Sequence, residues 1–150
     1  MKDFAIELQV RWSDIDANRH LRHSVYYDFG ALCRMELLTQ IGLSTKKLEE
    51  LSIGPILFRE EAVFRREIVF EDKIRITSAI LKASEDYSRW SIGHEILKDD
   101  DSLAATLQVD GAWIDLVKRK LAIPDAFVQN IFSQIPKSPD FVFLPKKQSS

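Results

Sequence analysis

The chain has 150 residues, 45% of them hydrophobic and 29% charged, with a formal net charge of −2 and one cysteine. That length suits one domain with its own core, and the mild acidity excludes a general nucleic-acid surface. No apolar run approaches the roughly 20 residues of a membrane-spanning helix, and Met1-Lys2-Asp3-Phe4 opens no signal-peptide core. Cys33 has no second cysteine to pair with, so it reads as a buried structural thiol in a reducing, cytoplasmic compartment.

Phe4, Ile6, Leu8, Val10 and Trp12 alternate with polar residues, which predicts a half-buried strand. A polar loop follows over 13–23, with Ser24 as N-cap of a helix from Val25 to about Ile41. Tyr26, Phe29, Cys33, Leu37 and Ile41 form one stripe, flanked by Leu32 and Leu38. A helix this apolar needs a wrapping. Gly42 suits its C-cap, Ser44 caps a short second helix through Leu51, and Gly54-Pro55 ends it.

From Ile56 to Val117 the pattern is that of strands. The first, over Phe58, Ala62 and Phe64, breaks near Arg66-Glu67 and resumes at Ile68-Val69-Phe70. Others run over Ile74, Ile76 and Ile80, over Trp90, Ile92 and Ile96, and from Leu103 through Trp113, with connections at 83–88 and 98–102. Pro124 opens a short helix through Phe132. One domain over 1–135 is expected, then a tail over 136–150 whose Phe141-Val142-Phe143-Leu144 patch docks. A strand, a long apolar helix and four or five successive strands make an α+β fold, an antiparallel sheet curled around one central helix.

Chemistry concentrates in Asp14-Ile15-Asp16-Ala17-Asn18-Arg19-His20-Leu21-Arg22-His23, just ahead of that helix. Unpaired backbone N–H groups at a helix start attract negative charge, including charge that develops in a reaction. A carboxylate facing such donors suits acyl chemistry, as base or as nucleophile. An Asp-x-Asp pair is equally a turn former, bonding its own backbone. Asp14 is expected to brace the loop by pairing with Arg11 or Arg22. The histidines lack a cysteine partner or an H-E-x-x-H spacing, so no metal is expected.

Arg11-Trp12-Ser13-Asp14-Ile15-Asp16 through Tyr26, with the element order, resembles the hot-dog fold thioesterases of the 4-hydroxybenzoyl-CoA thioesterase-like group. The signature of that group resembles R-[FYW]-x-D-x-D-x-x-G-H-V-N-N-x-x-Y. The resemblance implies Asp16 as the catalytic carboxylate and the backbone N–H at His23 as the donor that polarises the thioester carbonyl. It places His20 on the histidine of the G-H pair. Arg19 stands in the family's glycine position, and Arg22 and His23 in those of its asparagines. The implied activity is hydrolysis of an acyl-CoA, or an acyl-ACP, to a carboxylic acid and a free thiol, with no cofactor beyond the coenzyme A of the substrate. It further implies a homodimer or a dimer of dimers.

Ser24, Tyr26 and Tyr27 at the helix start are expected to contact substrate, with Phe29 walling the acyl pocket. Glu60, in phase with Phe58, Ala62 and Phe64, either lines that pocket or meets a core or subunit partner. His94 falls in an apolar phase in the same way. The basic residues Arg65, Arg66, Arg89, Lys118, Arg119 and Lys120 are either solvated edges or coenzyme A phosphate contacts. Arg19 and Arg22 favour a second expectation, a non-catalytic hot-dog protein that binds acyl thioesters. A hydratase would need a different His/Glu arrangement.

Overall fold

The computed structural model describes residues 3–145. In chain order its elements are β1 (Ala5–Gln9), α1 (His23–Gln40), α2 (Thr45–Leu51), β2 (Ile53–Phe64), β3 (Lys73–Thr77), β4 (Ala79–Ala83), β5 (Arg89–Lys98), β6 (Leu103–Asp115), β7 (Lys120–Ala122), α3 (Ala126–Phe132) and β8 (Lys137–Phe143). The strands belong to one sheet. β3 and β4 are halves of one long strand, broken at Ser78, and both lie antiparallel on β5. β6 pairs with β5, and β2 pairs with β6, both antiparallel. β1 lies antiparallel along β3, while β8 lies parallel along β4.

The helix explains the curl of this sheet. Tyr26, Phe29, Cys33, Leu37 and Leu38 of α1 are buried, against sheet residues such as Ile76, Ile92, Ile96, Leu107 and Val109 in one continuous core. Cys33 is fully buried; its thiol lies 3.7 Å from the Ile76 carbonyl and 3.6 Å from that of Thr77. Burial pushes its pKa up to about 12, so it is an inert packing group. At the far end Trp90, Trp113 and Phe132 close the core, Trp113 edge to face with both of the others and Trp90 tilted on Phe132. Gly111 makes that possible, because a Cβ there would stand 2.4 Å from the Trp90 ring and 2.5 Å from the Ile56 carbonyl oxygen.

Four boundaries differ from the sequence reading. The helix begins at His23 with Arg22 as N-cap and no capping side chain, so Ser24 lies inside the first turn. β2 starts at Ile53 and takes in Gly54 and Pro55; among the described residues the strand has no partner beyond β6, and an edge tolerates the missing proline donor. Ile68-Val69-Phe70 is not a strand. Ile68 is buried there alone, its carbonyl accepting the Leu21 N–H (2.7 Å), and the Val69 N–H donates to the Asp72 carboxylate (2.8 Å). Finally, β8 carries residues 137–143 into the sheet, across the boundary drawn at 135/136. Phe141 packs on the core and the Leu144 N–H donates to Ala83 (2.7 Å).

One polar link crosses the helix–sheet interface. Arg34 of α1 donates from Nη1 to His94 Nε2 (3.1 Å), and His94 Nδ1 donates to the Thr77 carbonyl (2.8 Å). With one ring nitrogen donating and the other accepting, the imidazole is neutral. Burial first, and the Arg34 charge second, lower its pKa from 6.5 to about 4. The unfolded chain therefore binds a proton at this residue that the folded chain refuses between those two values. Stability is expected to be full above about pH 7 and to fall as pH drops from 6.5 towards 4. Denaturant melts across that range check it; in His94→Gln, which keeps a donor and an acceptor, the slope between about pH 7 and pH 5 flattens.

Candidate active site

The loop before α1 is held rigidly. Asp14 is buried and accepts from Arg11 Nη2 (2.9 Å), Arg11 Nε (3.2 Å) and the Arg11 N–H (3.0 Å). These bonds hold its carboxyl below the usual range although burial alone would raise it. The Asp14 carbonyl accepts the Arg22 N–H (2.8 Å), and the Arg22 guanidinium ties Ser13 O and Ser24 Oγ, each at 3.0 Å. Arg11 is thus the partner that Asp14 takes, and Arg22 is a loop clamp.

Between these braces the chain turns over 16–19. The Arg19 N–H donates to Asp16 O and the Asp16 N–H to His20 O, both at 3.0 Å. Arg19 sits at φ +67°, in the left-handed region that glycine enters freely and other residues enter at a cost. Its position demands a backbone conformation, and its side chain is exposed.

The turn presents Asp16. Its Oδ1 accepts the N–H of Asn18 (2.8 Å) and of His20 (3.4 Å), while Oδ2 lies 3.3 Å from His20 Nδ1. That nitrogen is also 3.4 Å from the Leu21 carbonyl. Two acceptors around Nδ1 place a proton on it. Immediately beyond, the helix offers the N–H groups of His23 and Ser24, which meet no acceptor among the described residues, while the Val25 N–H returns to Arg22 O (3.0 Å).

Asp16, His20, His23 and Tyr26 share one cavity of about 480 Å³ with Phe64, Arg65, Arg66 and Glu67 at the end of β2. Tyr26 is its buried floor, edge to face with Phe64 at 4.9 Å between ring centres. Burial raises the pKa of the Tyr26 hydroxyl, and the charges of Asp16 and Glu67 raise it further, so both carboxylates act on the cavity floor. The N–H groups of Arg65 and Arg66 share the Ala104 carbonyl (2.8 and 3.0 Å), which turns the chain so that both arginines line the rim.

The other sequence candidates lie elsewhere. Ser24 is exposed and accepts from Arg22 Nε (3.0 Å), and Tyr27 packs half-buried on the core. Glu60 is exposed on β2, and neither it nor Ser24 nor Tyr27 lines the Asp16 cavity. Phe58 is the extra residue of a β-bulge between Leu57 and Arg59, so Phe58 and Glu60 do not share one unbroken alternation. The sequence marks Glu67 only as part of a strand break, and nothing local shows that it shares a cavity with Asp16. Among the described residues no group of three or more His, Cys, Asp or Glu could hold a metal ion, and no helix is long and apolar enough to cross a membrane.

Residues 10–132 match the thioesterase-like superfamily. The chain belongs to that superfamily. Its chemistry is therefore thioester hydrolysis, and its curled sheet around α1 is the hot-dog fold. A Staphylococcus aureus protein solved in complex with CoA superposes with a TM-score of 0.82 at 21% identity, over 88% of this chain and 82% of that one. The DHNA-CoA thioesterase of Staphylococcus aureus gives 0.80 at 18% identity, over 89% and 91%. The 1,4-dihydroxy-2-naphthoyl-CoA thioesterase of Synechocystis gives 0.78 at 20% identity, over 88% and 96%. At these identities the likeness is one of fold. No curated protein sequence matches the chain.

In this thioesterase-like domain the left-handed turn residue sets the presentation of Asp16. Arg19→Gly is expected to keep the melting temperature close to native, because strain relief offsets the added freedom of the unfolded chain. Arg19→Val, β-branched at positive φ, is expected to destabilise by about 1–2 kcal/mol, measured by urea unfolding.

Proposed function

We propose that the Asp16 cavity hydrolyses an acyl-CoA thioester, with Asp16 as general base and the N–H group of His23 as the oxyanion donor. The observation that carries this reading is the pairing of a fixed carboxylate with the acceptor-free His23 N–H at the start of α1 in one cavity. Asp16 takes a proton from water, the hydroxide adds to the carbonyl carbon, and the carbonyl oxygen gathers charge against the His23 N–H. Collapse breaks the C–S bond, and the proton held by Asp16 passes to the departing thiolate. Asp16 Oδ1 already accepts two backbone N–H groups and Oδ2 lies against His20, which favours orientation of water over direct attack by the carboxylate. His20 holds Asp16 in place, and Tyr26 with Phe64 forms the apolar floor for the acyl group.

Arg65 and Arg66 on the rim supply charge for the phosphates of coenzyme A, and the CoA-bound neighbour supports CoA over ACP as carrier. Water is the second substrate, so no resident cofactor is required. Arg19 and Arg22, the features that favoured a non-catalytic binder, do not line the cavity. A reducing, cytoplasmic setting fits the buried thiol of Cys33.

Thiol release from short, long and aromatic acyl-CoAs tests the activity. Asp16→Asn is expected to lower kcat by about 10²–10⁴ with an unchanged circular dichroism spectrum; full activity in that variant removes Asp16 from the mechanism. Silence on every acyl-CoA, with turnover of an acyl-ACP, changes the carrier.

The assembly we propose is a homodimer through β2, capable of pairing again. That edge is unpaired among the described residues and exposes Leu57, Phe58, Val63 and Phe64. Sedimentation velocity is expected to give at least twice the 17.3 kDa chain mass, and Val63→Lys to shift the population towards single chains; a native single chain at micromolar concentration sinks the assembly.

A further inference from the structure

A second cavity, of about 210 Å³, lies between α1, the near ends of β2, β5 and β6, and α3. Met35, Leu57, Trp90, Ile92, Trp113 and Phe132 wall it, and it shares no lining residue with the Asp16 cavity. On β2 the two cavities are marked by Leu57 and Phe64, about 20 Å apart along the strand at about 3.3 Å per residue. An apolar cavity of about 150 Å³ holds benzene, so this one has room for a substituted ring.

Every polar side chain that lines it is a donor. Arg34 reaches it from α1, half-buried, with its only hydrogen bond among the described residues made to the neutral His94. No carboxylate among the described residues forms an ion pair with Arg34; Glu60 acts on it through charge alone. Trp90 Nε1 and Trp113 Nε1 are both buried with no acceptor among the described residues. A guanidinium withdrawn from water without an anion is costly, and a carboxylate matches its fork of donors.

We propose that this cavity binds a ring-sized apolar carboxylic acid, its carboxylate on Arg34 and its hydrocarbon among Met35, Leu57, Trp90, Trp113 and Phe132. Carboxylic acids are also what thioester hydrolysis releases, but the proposal does not rest on that activity. It assigns the fold a second ligand site, open to the product of the chain's own reaction or to an unrelated acid of the same chemistry.

The test is titration of the full chain with 4-methylbenzoate, read by tryptophan fluorescence and by calorimetry. Trp90 and Trp113 wall the cavity, whereas Trp12 is exposed on the loop before α1. Saturable binding is expected, weakened at least about tenfold in Arg34→Met and for the uncharged 4-methylbenzamide. It is expected to vanish in Met35→Trp, or in Leu57→Trp where the first variant does not fold, and to persist in Asp16→Asn. No saturation by about 10 mM, unchanged affinity in Arg34→Met, or loss of binding in Asp16→Asn each overturns the proposal. These readouts need no turnover, so failure of the site and failure of the hydrolase reading are separable. Inhibition of thiol release by the acid that a cleaved acyl-CoA yields, absent in Met35→Trp, identifies the product as the ligand; binding without inhibition identifies an unrelated acid.

Discussion

Burial of α1 governs the architecture. An 18-residue helix carrying Tyr26, Phe29, Cys33, Leu37 and Leu38 inward exposes far too much apolar surface to stand against a flat sheet with water on its flanks. The sheet must bend around it, and long antiparallel strands joined by short turns supply that bend. The same requirement explains the aromatic plug at the far end, where Trp90, Trp113 and Phe132 close the core. Even the polar link between Arg34 and His94 is subordinate to it. A neutral imidazole joining guanidinium to the Thr77 carbonyl lets a charged helix residue lie under the sheet without stranding a donor on the imidazole.

The site inherits its precision from that packing. Because α1 is fixed on the core, its first turn is fixed too, and the N–H groups of His23 and Ser24 point from a rigid element. The loop that carries Asp16 is clamped at one end by Asp14 on Arg11 and at the other by Leu21 on Ile68. A carboxylate in such a frame has little freedom left to lose, which is what the proposed hydrolysis asks of it. The β2 end then brings Phe64, Arg65, Arg66 and Glu67 from 40 or more residues downstream to complete the cavity.

Much of this was legible in the residues themselves, and the failures have physical causes. The stripe of α1 was plain because burial on one side imposes a 3.6-residue period. Ser44 was readable as a cap because its hydroxyl does accept the Lys47 N–H (3.1 Å). Ser24 misled because the helix entry is decided by the clamp between Arg22 and Asp14, a tertiary contact. Ile68 misled because one buried residue among exposed neighbours imitates a short strand, although no ladder exists there. The bulge at Phe58 breaks the alternation ahead of Glu60, and a bulge leaves no mark on composition. Around the cavity, the elements near Asp16 in sequence were readable and those near it only in space were not. Glu67 is the sharpest instance: its charge bears on Tyr26 across a gap of 41 positions.

The placement of β8 has a consequence for how copies of this chain can associate. With β1 along one half of the β3–β4 strand and β8 along the other, that margin of the sheet is split between two short segments running in opposite senses. The Ile80–Lys137 and Lys82–Val142 partners show that β8 also loses register along its length. A broken, bulged margin makes a poor template for a further strand. β2 is the one long unpaired margin among the described strands. Growth by strand addition therefore has a start and no continuation: two copies joined through β2 leave no equal margin for a third. The fold resists open-ended fibre growth by geometry, through the same C-terminal strand that lies outside the 10–132 family match.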